Sequence, residues 1–427
     1  MSGDSSSTVK HNGVLRLNGV VQHYAWGGEK FIPALIGVDN PEGREFAELW
    51  LGTHPKGPST VELEGQTVEL SDFLQRDPAH NLGEKTSKLF NNDLPYLFKV
   101  LDARKMLSIQ VHPDKARAER GFAAEEQAGI DRNAPDRNYR DTNHKPELHV
   151  ALTDFWMLHG FRAAEDIAAE FRRVPEFINL LYEFEDDLAA GGADADRRAI
   201  ENLYKTIMTM PQGRVDAFLE PLLQRLLPRY GGGELSKNSP DFWASRAAEH
   251  FPLPDGHRDR GIFSIYMMNL VRLQPGEATF QDAGIPHAYL EGANVELMAG
   301  SDNVLRGGLT PKHIDVPELL DTLTYECGPA DIITGRQEGD AKIFPTPVKD
   351  FELALLELAD GRTARRAAGH GPDILLLMNG KALVQSADGA TIELRRGQAC
   401  FAPHSAAYSV TAQGDCRLFR AGVPEPR

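Results

Sequence analysis

The sequence predicts a mainly β fold with a helical insert: two β-barrel units plus an α-helical domain. Three observations lead there. Residues 107–112, Leu-Ser-Ile-Gln-Val-His, alternate apolar and polar, which is the period of a half-buried strand. Val215, Phe218, Leu219, Leu222, Leu223 and Leu226 form a stripe at helical spacing. A pattern of Gly, short strand and Pro-His occurs at 276–287 and again at 397–404, each time followed by a tyrosine, Tyr289 and Tyr408, as an internal duplication would leave it.

The elements follow in chain order. Residues 1–13 are polar, lack the apolar core of a signal peptide and read as a loose tail. Over 14–98, short apolar runs punctuated by Gly, Pro and Asn suggest strands joined by turns. β character continues at 148–152, after Pro146. It changes near Phe161. Ile167 and Phe171, then Leu203 and Ile207, sit four apart, and glycine runs at 191–192 and 231–233 separate helices. Residues 161–255 are therefore the helical insert. β character is expected again from Ile262, and a linker around 335–346 leads to the last unit. The predicted organisation is one barrel from 14–160 and 256–335, the insert at 161–255, and a C-terminal barrel at 345–427.

The length of 427 residues suits two or three domains, and 41% hydrophobic residues supply their cores. The net charge of -16 excludes sequence-independent nucleic-acid binding and docking on an anionic membrane. It permits a small phosphorylated ligand held by a few gathered cations. No run approaches the roughly 20 apolar residues that span a bilayer. Cys327, Cys400 and Cys416 are odd in number, widely spaced and without a CxxC pair. They suggest a reducing, cytoplasmic compartment and no thiolate metal site.

Gln110 and His112, two apart on a strand, share a face. With Glu147 and His287 they make a mixed N and O donor set that fits a catalytic Zn, Fe, Mn or Ni site. His149, two past Glu147, is a rival ligand, and most of the 14 histidines must be structural. Lys99, Lys105, Lys145, Arg306 and Lys312, with the Ser108 hydroxyl, form a cationic group suited to phosphate, although solvated surface charge is the commoner fate of such residues. Arg306 lies among small residues, Gly300-Ser-Asp-Asn-Val-Leu-Arg-Gly-Gly308, where backbone can approach closely. Glu296 suits a sugar hydroxyl, a proton, or a structural pairing with Arg306 or Lys312.

Several of these segments carry a resemblance. Residues 276–287, ending Ile-Pro-His, resemble the second motif of a cupin barrel, so both β units are expected to be cupin-type jelly rolls. The chain resembles the type I mannose-6-phosphate isomerases, also called phosphomannose isomerases, over about residues 21–315. Residues 139–147, Tyr-Arg-Asp-Thr-Asn-His-Lys-Pro-Glu, match their first signature, and the run from His287 to Lys312 matches their second. Further matches are 22–27, 48–55 and 107–115. Gly307, Gly300 and Ala25 are mild departures.

The resemblance implies one zinc per chain on Gln110, His112, Glu147 and His287, and Arg306 as the catalytic arginine. It puts Trp26, Ser108, Lys145, Tyr289, Glu296 and Lys312 around the substrate. The implied reaction interconverts mannose 6-phosphate and fructose 6-phosphate through a cis-enediol, with Lys145, Glu296 or a metal-bound hydroxide as base. The C-terminal unit lacks a Gln-x-His strand and is expected to keep the barrel without a metal. A phosphosugar is the expected partner, with no nucleic acid or membrane, and the chain is expected to be a monomer or weak homo-oligomer. The same donors would serve an iron-dependent cupin dioxygenase or a sugar sensor. Oxygen consumption and turnover separate these.

Overall fold

In the computed structural model, which describes residues 12–192 and 194–424, the alternating and apolar runs assemble into sheets of nine, ten and four strands. The tail expected over 1–13 lies outside the described residues through residue 11. The ten-stranded sheet positions the candidate residues. Its long strand, His287–Ala299, is buried along nearly all its length and pairs antiparallel with Tyr96–Ala103, Glu147–Ala151 and Phe155–Phe161. Register then decides which side chains meet. Glu296 lies opposite Lys99 on one neighbour and His149 on the other. Gln110 lies opposite both His287 and Arg306.

The helical segment forms as the apolar stripes require. Helices span Ala164–Arg173, Ile178–Ala189, Ala195–Thr209, Gln212–Gly231 and Pro240–His250. Val215, Leu219, Leu222, Leu223 and Leu226 of the predicted stripe are fully buried. They share one core with Ile109, Val111 and Leu305, the strand neighbours of Gln110, His112 and Arg306. Each such leucine contributes about 1.5–3 kcal/mol by leaving water, so the insert braces the strands that carry the candidate site. Asp259, after the last of these helices, accepts from the backbone N–H groups of Gly261, Leu309 and Thr310 at 2.7, 2.9 and 3.0 Å. It thereby pins the loop that follows Arg306. A Cβ on Gly308, at φ +121°, would come within 2.5 Å of Gly261 Cα, so this approach requires glycine.

The nine-stranded sheet joins the two ends of the chain. Leu15–Asn18 pairs with Ala399–Ala402 on one side and Thr60–Leu63 on the other. Tyr96 Oη donates to the carbonyls of Pro372 and Ala421, each at 3.1 Å, and fastens the site-bearing sheet to the C-terminal strands.

Four local expectations change. Residues 261–267 form a helix, Gly261–Met267, and the strand begins at Met268. Every residue of that helix is buried, and a continuous apolar run cannot separate buried helix from buried strand. The 14–98 segment contains four short helices besides its strands: Phe31–Ile36, Leu70–Arg76, Pro78–Leu82 and Glu84–Leu89. The linker at 335–346 is a hairpin of Arg336–Glu338 and Ala341–Phe344, whose polar face hides the buried Ile343 and Phe344. The alternating 107–112 segment pairs as a strand only at Gln110–Val111. Before that pair Leu107 N donates to Tyr289 O, and Ile109 exchanges bonds with Gly308 O and Gly307 N; after it His112 O accepts from Gly284 N. No described helix is long and apolar enough to cross a membrane.

Candidate metal centre and active site

Three predicted ligands converge. His112, Glu147 and His287 are buried, and one ligand atom from each lies within 4.8 Å of the others. His112 Nε2 is 3.3 Å from Glu147 Oε1, and His287 Nε2 is 3.6 Å from Glu147 Oε2. Each imidazole donates Nδ1–H to a backbone carbonyl, His112 to Asn303 at 2.8 Å and His287 to Ile285 at 3.1 Å. Those bonds set the tautomers and leave both Nε2 lone pairs facing the carboxylate. His112 Nε2 is buried without a hydrogen-bond partner. An orphaned acceptor facing a carboxylate and a second lone pair is what a divalent cation resolves, so these residues fit a metal. Gln110 stands cross-strand from His287, and its side chain is half-buried.

The electrostatics suit the same purpose. Burial, aided by Lys145, lowers the His112 pKa, and burial with His112 lowers that of His287 well below the usual range. Both rings are neutral, as ligands must be. Burial opposes the charge on Glu147, but its charged and hydrogen-bonding neighbours, Lys145 foremost, outweigh it and hold the carboxyl well below the usual range. Lys145 Nζ is 2.9 Å from Glu147 Oε1.

His149, the rival ligand, also faces Glu147, with Nε2 3.3 Å from Glu147 Oε2, but it has further partners. Its Nε2 lies 3.1 Å from Gln281 Oε1 and 2.7 Å from Tyr289 Oη. Tyr289 also donates to Glu296 Oε2 at 2.9 Å. Glu147, His149 and Glu296 form a second close group beside the first. Glu296 further pairs with Lys99, whose Nζ lies 2.7 Å from its Oε1 and 3.9 Å from Glu48 Oε1. Lys99 is therefore committed to carboxylates, which overcome its burial and raise its pKa. Lys105 is exposed and stands by His250, whose pKa burial, Arg246 and Lys105 lower to about 4. Lys99 is not free for an anion, since Glu296 and Glu48 already hold it.

Arg306 and Lys312 remain. The Arg306 pKa is lowered by burial and then by Arg140, and that of Lys312 by burial, Arg306 and Arg140. Ser108 is half-buried in the strand segment between the Tyr289 and Gly308 backbone contacts. Trp26 packs against the cluster that contains Tyr289, and its ring stacks on Tyr24 at 5.8 Å. Three contributors had no assigned role in the sequence pattern: Glu48, Arg140 and Asn303. Each lies inside one of the matched segments, and a charged or amide group within a motif was the available signal.

The matches to known proteins agree with this geometry. Residues 14–164 match the model of the phosphomannose isomerase type I catalytic domain. The mannose-6-phosphate isomerase of Escherichia coli is 38% identical over 407 residues, covering 94% of this chain and 97% of that one. The mouse enzyme is 36% identical over 435 residues, covering 96% and 98%. The crystal structure of the Salmonella typhimurium enzyme bound to its substrate, fructose 6-phosphate, and zinc superposes with a TM-score of 0.84 at 35% identity, covering 96% of this chain and all of that one. A zinc-bound mannose-6-phosphate isomerase superposes with a TM-score of 0.85. Aligned end to end with such relatives and carrying the type I catalytic domain, the chain belongs to the mannose-6-phosphate isomerase family.

Proposed function

We propose that the chain is a zinc-dependent aldose–ketose isomerase that interconverts mannose 6-phosphate and fructose 6-phosphate through a cis-enediol. The observation that carries this is the buried His112–Glu147–His287 group with its orphaned Nε2. Gln110, His112, Glu147 and His287 would hold one zinc. Bound there, the ion supplies Lewis-acid polarisation of a sugar oxygen.

The chain's own residues do the rest. Arg306, cross-strand from Gln110, offers fixed positive charge to the enediolate oxygen. Lys145 and Glu296 flank Glu147 and handle the proton exchanged between C1 and C2. Tyr289 holds Glu296 in place and walls the pocket with Trp26 and Ser108. Lys312 meets the phosphate, whose binding energy positions the reacting carbons. The strand-rich parts at 14–160 with 256–335 and at 345–427 are jelly-roll barrels of cupin type. The second is read as a barrel without metal, in which His404 Nδ1 accepts from Gly371 N at 3.1 Å. The free cysteines suit the cytoplasm.

The test is turnover of mannose 6-phosphate by the zinc-loaded chain, followed through fructose 6-phosphate formation, with metal content measured on the same sample. Zinc at one per chain without turnover would reject the isomerase and leave a binding protein.

A further inference from the structure

Arg140, Arg306 and Lys312 carry like charges close enough for Arg140 to depress the pKa of both others. Among the described residues, none of these three side chains makes an ion pair or a hydrogen bond. Their cationic neighbours differ: Lys56 Nζ is 2.8 Å from Asp302, and Lys145 Nζ is 2.9 Å from Glu147. Arg140 and Arg306 are also half-buried. A like-charged, partly desolvated group without counter-ions destabilises the free chain, and an anionic ligand relieves that cost.

The position of Arg140 is built. Its backbone N–H donates to Asn303 Oδ1 at 2.7 Å. Asn303 is fully buried, and its amide spans the loop in both directions. Oδ1 also accepts from Asp141 N at 3.2 Å, while Nδ2 donates to the carbonyls of Asp141 and Asn143 at 2.8 and 2.9 Å. The carbonyl of Asn303 accepts from His112 Nδ1, and the chain runs on from Asn303 directly into the strand that bears Arg306. One residue thus ties the Arg140 loop, the metal-facing imidazole and Arg306 into a fixed relation.

We propose that Arg140, positioned by Asn303, is a third phosphate-binding cation beside Arg306 and Lys312 and sets a preference for the doubly ionised phosphate. This rests on the isomerase reading above and deepens it by naming a specificity residue. Each added cation gains with the charge on the ligand, so a third one favours the dianion over the monoanion. A phosphate monoester passes between these forms near pH ~6.

The experiment compares zinc-loaded wild type with Arg140→Met and Arg140→Lys. The expected result for Arg140→Met is a KM for mannose 6-phosphate about 10-fold higher, the worth of one charged hydrogen-bonding partner, with kcat little changed and zinc content the same. The inhibition constant of inorganic phosphate should rise by the same factor, and the rise of KM below pH ~6 should become shallower. Arg140→Lys should recover most of the KM. Asn303→Ala should raise KM as well, and adding Arg140→Met to it should raise KM little further. A fall in kcat with KM and phosphate inhibition unchanged would overturn the assignment of Arg140. Additive effects in the double variant would overturn the positioning role of Asn303. If the wild type does not turn over the sugar phosphate, the isomerase reading fails by itself, and titration of inorganic phosphate into the zinc-loaded variants still decides whether Arg140 binds it.

Discussion

Lys99 and Glu296 face each other across adjacent strands, Nζ to Oε1 at 2.7 Å, and both are almost wholly buried. Glu48, 3.9 Å from the same Nζ, makes the arrangement a buried triad of two carboxylates around one ammonium. Burial raises the Glu48 pKa, whereas Lys99 outweighs burial at Glu296 and lowers it. The pair holds the carboxylate that Tyr289 also touches, so the candidate active-site wall is fastened from behind by a charge interaction.

Removing the ammonium leaves two buried carboxylates uncompensated. Lys99→Met should destabilise the fold by about 3–5 kcal/mol, the usual cost of breaking a buried pair. Pairing it with Glu296→Gln should return part of the stability while activity stays low. Urea unfolding of the single and double variants measures this. A single variant as stable as wild type would show that the triad contributes nothing net.

Chelation should abolish activity, and added zinc should restore it. Because a ligand that binds only the folded state stabilises it by mass action, zinc at about 1,000 times its dissociation constant should add about 4 kcal/mol. His112→Ala should lose that zinc-dependent rise in melting temperature, and so should His287→Ala. Full activity in a verified metal-free sample would reject the metal's role.

Arg306→Ala should lower kcat by about 100-fold or more if its charge acts at the transition state. KM should change much less, and Arg306→Lys should rescue only in part, since an ammonium lacks the guanidinium fork. A large rise in KM with kcat retained would move Arg306 to the phosphate group alone.

Asp102 provides a pH signature away from the metal. Burial raises its pKa to about 6, against an opposing hydrogen bond from the Phe31 backbone. The folded state therefore binds more protons than the unfolded chain between about pH 4 and 6, and stability falls as pH rises through that window. Asp102→Asn, which keeps an acceptor for Phe31, should raise the melting temperature at pH 8 and leave it nearly unchanged at pH 4. Calorimetry at both values checks the sign. A gain at pH 4 and none at pH 8 would contradict it.

Much of the molecule was legible in the sequence, because its signals are local. The stripe from Val215 to Leu226 could only bury itself as a helix, since its spacing places every apolar side chain on one face. Gln110 and His112 had to share a side of an extended segment, whatever surrounded it. The motif residues Glu147, His287 and Arg306 could be singled out by type and by match. Tertiary structure decided what those groups meet. Whether the buried run 261–267 was helix or strand depended on its neighbours, because uniform burial erases periodicity. In sequence Lys99 joins the cationic group suited to phosphate, whereas Arg140 has no assigned role. Strand register set Lys99 against Glu296 and Glu48, while the Asn303 amide held the Arg140 backbone where, among the described residues, no counter-ion meets its side chain. Register and long-range hydrogen bonds join residues far apart in the chain, so no local pattern encodes which charge is spent on structure and which is left for a ligand.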